Sequence, residues 1–274
     1  MAGPGADPPA QAEACAEARN TLLSVTAQSR RTARQLCSAA DETLTEAAFR
    51  TGEFTEAERL FSEAWALAEQ EGDREAEALA IGGLGMTHHY RNIVRLIGGL
   101  EPADTDVETE EALMRRALAI WQDIGDPAGT ARALFGVGLV YQVLRGDWAA
   151  AMPYFWQSFG LAEAVEESGD LYGRSEIHRH LGFYYLVEDV RPHEAVRQLG
   201  HSLALRERLG DPRRIPSALV ALGEAELADG NHERAVELLR RALTLARQAG
   251  LQPWRIQDAE QALRKAEAAL PAPS

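Results

Sequence analysis

The chain has 274 residues and a formal charge of −14, with 46% hydrophobic residues, enough for a packed core. That length supports one extended or two compact domains. The acidic balance excludes a nucleic-acid surface, which needs clustered Lys and Arg to displace counterions, and disfavours anionic membranes.

Lys265 is the only lysine, so arginine carries nearly all the basic charge. Two cysteines, Cys15 and Cys37, are too few for a disulfide framework or a structural zinc site and read as small buried apolar side chains. The N-terminus lacks the basic and apolar regions of a secretory signal, and no long apolar run spans a membrane. The expectation is a cytoplasmic protein.

Residues 1–8 are rich in Pro and Gly and read as disordered. Residues 9–37 read as N-terminal capping helices, with Leu22, Leu23, Val25, Leu36 and Cys37 as covering side chains. A repeated block follows over 38–250. Four of its units are continuous, beginning LTEAAFRTGEF, VGLVYQVLRGDW, LGFYYLVEDV and LGEAELADGN. A fifth is split between LGMTHHY and EEALMRRALAIWQDIGD by the insertion GGLEPADTD at 98–106, which is expected to project as a loop. Each unit reads as two helices around a short turn, with a Gly at its end as a left-handed stop. Small residues at Ala57/Ala64, Ala151/Ser158, Ala195/Ser202 and Ala235/Ala242 on the second helices let the two axes approach, while Phe61, Phe155, Leu199 and Leu239 fill the neighbouring gaps, and the front helices carry Gly85, Gly138, Gly182 and Gly223. Residues 251–270 read as a C-terminal capping helix opened by Pro253, and 271–274 as a tail.

The pattern Leu181-Gly182-x-x-Tyr185, its near match Val137-Gly138-x-x-Tyr141, the turn Gly146-Asp147-Trp148 and the back-half residues Ala57, Phe61 and Ala64 resemble the tetratricopeptide repeat. The glycine spacing exceeds that family's usual period and is similar to the long repeats of kinesin-light-chain-type proteins and bacterial regulators. The resemblance implies an all-α, right-handed superhelical solenoid of about five helix pairs with extra terminal helices. It also implies front helices lining a concave face.

On the helical period, that concave face collects Met86, His89, Arg132, Phe135, Leu139, Gln142, Glu176, Arg179, His180, Phe183 and Glu224 as a partner-binding groove with an apolar floor. The expected partner is a protein or peptide segment held by an adaptor or regulator. The alternative is a small apolar ligand, or an unusual enzyme, using a pocket between repeats two and four and bounded by the 98–106 loop. A third reading is a homo-oligomer built through the end helices.

The stretch AIGGLGMTHHYRN (80–92) concentrates these questions. Three glycines in a helix cost about 1 kcal/mol each relative to alanine. Gly85 has its place at a helix crossing, whereas Gly82 leaves a hollow rimmed by Met86 and His89. His88 reads as a packing residue, and Tyr90 and Arg91 as neighbours of the inserted loop. Adjacent histidines diverge around a helix, and no ligand spacing of the H-E-x-x-H kind occurs, so neither a metal nor a cofactor is expected. Glu176 and His180, four apart, could share a hydrogen bond, but a surface ion pair outweighs acid–base chemistry and no catalytic residue is assigned.

Overall fold

A computed structural model describes residues 31–165 and 170–270. Among these residues there are eleven α-helices and no strand. In chain order they are α1 Ala33–Glu46, α2 Thr55–Glu71, α3 Arg74–Ile97, α4 Asp104–Ile124, α5 Pro127–Leu139, α6 Trp148–Ala164, α7 Leu171–Val187, α8 Pro192–Leu209, α9 Ile215–Ala228, α10 His232–Gln248 and α11 Pro253–Ala268. Helices α1 and α5 each end in a wider π-turn, at Ala47–Thr51 and Val140–Leu144. Five pairs, α1/α2 to α9/α10, stack in order, and α11 packs on α10.

The Gly-Asp dipeptides between units act twice. Gly72 and Gly125 take the left-handed conformation that stops a helix. Asp73 and Asp126 then cap the next one, accepting from the backbone N–H of Ala76 at 3.0 Å and of Ala128 at 2.8 Å. One short motif therefore reverses the chain without a long loop.

The front glycines explain the tight pairing. A Cβ on Gly85 would lie 2.9 Å from Met114 Sδ, on Gly138 2.5 Å from Phe155, on Gly182 2.5 Å from Leu199 and on Gly223 2.6 Å from Leu239. Each large back-helix side chain thus occupies the space that a front-helix side chain would need.

Two sequence boundaries shift. α1 starts at Ala33 and runs through residue 37, joining the expected capping segment to the first repeat as its front helix. The inserted loop is only 98–103, because Asp104–Asp106 form the acidic first turn of α4. Residues 1–30 and 271–274, which include Cys15, the expected disordered start and the tail, lie outside the described residues.

The superhelix closes on itself. The backbone N–H of Gln252 donates to Phe49 O at 2.9 Å, and its side chain donates to Ala47 O at 2.9 Å and Ala48 O at 3.1 Å. Arg255 adds a bond to Ala48 O at 2.8 Å. The end of α1 has carbonyls without helical partners, and the segment entering α11 satisfies them. Nearby, Arg213 holds Glu42 at 2.7 Å and Arg214 holds Thr45 Oγ1 at 2.6 Å. Ala246 and Leu251 enter the same apolar cluster as Leu44 and Phe49. The first and last repeats are therefore in direct contact.

Candidate functional site

Closure turns the concave face into an interior. It holds a cavity of about 840 Å³, lined mainly by residues of α1, α3, α4, α5, α7 and the α8–α9 turn. One wall, from α3, α4 and α5, is apolar, with Gly82, Gly83, Met86, Trp121 and Phe135. The facing wall, from α1, α7 and the α8–α9 turn, is polar, with Asp41, Thr45, Tyr172, Glu176 and Arg214. Gly82 lacks a side chain where a Cβ would meet only Ala117, at 3.7 Å, so its absence enlarges the cavity.

The two walls meet where Tyr90 of α3 and Tyr172 of α7 share a hydrogen bond of 2.9 Å between their hydroxyls. The Arg214 guanidinium stacks 3.6 Å from the Tyr172 ring centre, and Arg206 lies 5.7 Å from it. Burial, with Tyr90 beside it, pushes the Tyr172 phenol up, so it stays a neutral donor. Arg206 is 1% exposed. It pairs with Glu176 and donates to Arg214 O at 2.8 Å and Ser217 Oγ at 2.6 Å. Burial lowers its pKa. Glu176 lines the large cavity and Ser217 a second one of about 100 Å³, so Arg206 stands in the partition between them.

At the mouth, charges are paired. Arg132 is exposed and holds Asp170 at 3.0 Å. Asp41 is exposed towards the cavity, and desolvation by the surrounding protein raises its pKa against the pull of Arg214 and Arg132.

The expected groove residues divide into three groups. Met86, Arg132, Phe135 and Glu176 line the large cavity. Arg179, Phe183 and Glu224 line the smaller one, between α7, α9 and α11. His89, Leu139, Gln142 and His180 line neither. His89 is 2% exposed and turns into the α3–α4 contact, where it donates from Nδ1 to Glu110 at 2.7 Å. Asn92 completes that buried triad, donating to Glu110 at 3.0 Å. Leu139 packs in the core of α5, α6 and α7. His180 donates to Gln142 at 2.7 Å and sits among Phe135, Phe155 and Phe183. Burial, reinforced by Arg179 and His89, takes its pKa well below 6.5. Glu176 is engaged by Arg206, so the Glu176–His180 hydrogen bond considered from the sequence does not form.

The HHYR row also rotates relative to its expected orientation. His89 takes the packing role and His88 is half-buried. Tyr90 faces the cavity instead of the loop, and Arg91 reaches Glu58 on α2 at 2.5 Å. The inward stripe is Gly82, Met86, Tyr90, a strict i, i+4 series. The 98–103 loop lines neither cavity, and Leu100 on it is 62% exposed.

Residues 173–248 match the family model described as tetratricopeptide repeat. Over those residues, most of α7 through α10, the chain is similar to the tetratricopeptide repeat. Among solved structures, the chain is similar to BtubC (BKLC) from P. vanneervenii, with 19% identity, a TM-score of 0.53, and coverage of 80% of this chain and 82% of that one. It also matches a putative kinesin light chain with nearly identical TPR-like repeats from Podosopora anserina, at 17% identity and a TM-score of 0.46, covering 77% of this chain and 93% of that one. No curated protein matches the sequence. The likeness to BtubC is one of fold alone, and what the ring holds follows from its own lining.

Proposed function

We propose that this tetratricopeptide ring is a receptor for a small amphipathic molecule held in its large cavity. The observation that carries the reading is closure of the first repeat onto the last around about 840 Å³ of two-faced space. That volume lies within the range of about 300–1,000 Å³ usual for small-molecule sites. An apolar body would rest on Gly82, Met86 and Phe135, and an acceptor end would meet Tyr172 and Arg214. The contacts of Gln252, Arg213 and Arg214 with α1 favour this reading over capture of a helix or long peptide, which needs an open groove. The Glu176–His180 pair gives no support to acid–base catalysis, since both residues have other partners.

Titration with anilinonaphthalene sulfonate, an apolar fluorophore with an anionic end, tests the proposal. Saturable binding is expected in the parent protein. It should be weakened in Gly82→Leu, whose side chain would project from the apolar wall into the cavity, while circular dichroism stays unchanged. Binding that persists undiminished in a folded Gly82→Leu variant would refute the assignment to this cavity.

A further inference from the structure

The smaller cavity carries two guanidinium and two carboxylate groups that do not pair directly with one another. Arg179 and Arg255 line it, and so do Glu224 and Asp258. Among the described residues, no guanidinium of the first pair comes within 4.0 Å of a carboxylate of the second. Flexible side chains of opposite charge ordinarily close such a gap; here other contacts hold them apart. Arg179 stacks 4.7 Å from the Phe183 ring centre and lies 3.7 Å from Glu176, with its Nε buried and without a partner. Arg255 is fixed by Ala48 O and by the Phe49 and Trp254 rings, at 4.5 and 4.2 Å. Glu224 and Asp258 approach from α9 and α11, the latter at the exposed rim.

We infer that this cavity is a binding site for a small zwitterion of amino-acid size, with its carboxylate towards Arg179 and Arg255 and its ammonium towards Glu224 and Asp258. A volume of about 100 Å³ admits only a few heavy atoms. A zwitterion satisfies both charge pairs at once, and a site already held in the separated arrangement loses little freedom on binding. The electrostatics agree. Burial, together with Arg179 and Arg206, lowers Arg255 to about 10, and burial raises Glu224 and Asp258. Each group therefore gains from a counter-charge brought in from outside. The assignment is independent of what occupies the large cavity.

Calorimetric titration of the full chain with glycine and with L-alanine tests it, using acetate and methylammonium as single-charge probes at matched concentrations. Saturable heats with the zwitterions alone are expected. Glu224→Gln, which keeps shape and removes one charge, should weaken binding about tenfold or more. Arg255→Gln should do the same, but Arg255 also serves the closure, so Glu224→Gln decides. No saturable zwitterion heat, an equal response to acetate or methylammonium alone, or unchanged affinity in Glu224→Gln would overturn the proposal.

Discussion

Replacing the three glycines of α3 with alanine, one at a time, separates the inward face of the helix from its packed faces. All three substitutions gain helix propensity, about 1 kcal/mol each. At Gly82 the new Cβ meets only Ala117, at ordinary contact distance, so Gly82→Ala should stabilise by about 0.5–1 kcal/mol. At Gly83 the Cβ would fall 2.2 Å from Cε1 and 2.3 Å from Cζ of Phe61, a ring that is itself 2% exposed. The stiff ring has to shift as a whole, and overpacking of this kind costs about 1–3 kcal/mol, exceeding the propensity gain. Gly85 is intermediate, because its obstacle at 2.9 Å is the flexible Met114 thioether, which can swing aside. The expected order of thermal midpoints is Gly82→Ala above the parent, Gly85→Ala near it and Gly83→Ala below it, with steps of about 2–4 °C per kcal/mol. Scanning calorimetry with far-ultraviolet dichroism reads this directly. A Gly82→Ala protein as destabilised as Gly83→Ala would refute the assignment of Gly82 to the cavity wall.

Other predictions follow from buried charge and from closure. Arg206→Ala leaves Glu176 without its partner, and breaking a buried pair costs about 3–5 kcal/mol, measurable by urea denaturation. Glu110→Ala strands His89 and Asn92 in the α3–α4 contact and should cost more than Glu110→Gln, which retains an acceptor for either donor. Gln252→Ala removes two bonds to the end of α1, so hydrogen exchange in residues 44–52 should speed up while α5 and α6 remain unaffected. His180 and His178 are both held below 6.5 by burial, so between their folded values and 6.5 the unfolded chain binds more protons and stability falls as pH drops. Glu224 and Asp258 are raised and act in the opposite direction, losing stability as pH rises through the carboxylate range. His180→Gln should therefore flatten the acid-side slope of stability below pH 6.5, read from denaturation midpoints at stepped pH.

The fold was legible because its determinants are local. A Gly-Asp or Gly stop ends each unit, four of the five front helices carry the crossing glycine, and large residues of the adjoining back helix fill the space beside it. The interior was legible only in part. Met86, Phe135 and Glu176 follow from helical period, but a small phase error on α3 exchanged His89 for Tyr90. Glycines on two faces of that helix, Gly83 against Phe61 and Gly85 against Met114, had blurred the stripe. Arg206 carried a readable signal, an arginine sharing the buried stripe of Leu199, Ser202 and Leu203 on a back helix. Arg214 carried none, because its role depends on closure between residues 169 positions apart, which no local pattern encodes.

Closure is also the claim that most needs a direct measurement. A double-mutant cycle on Thr45→Val and Arg214→Met, read by denaturant unfolding, isolates the contact between the first repeat and the α8–α9 turn. A buried charge-assisted hydrogen bond of 2.6 Å predicts a coupling of about 1 kcal/mol or more between the two positions. Strictly additive effects would mean that the ends do not meet in solution, and the cavity between them would go with them.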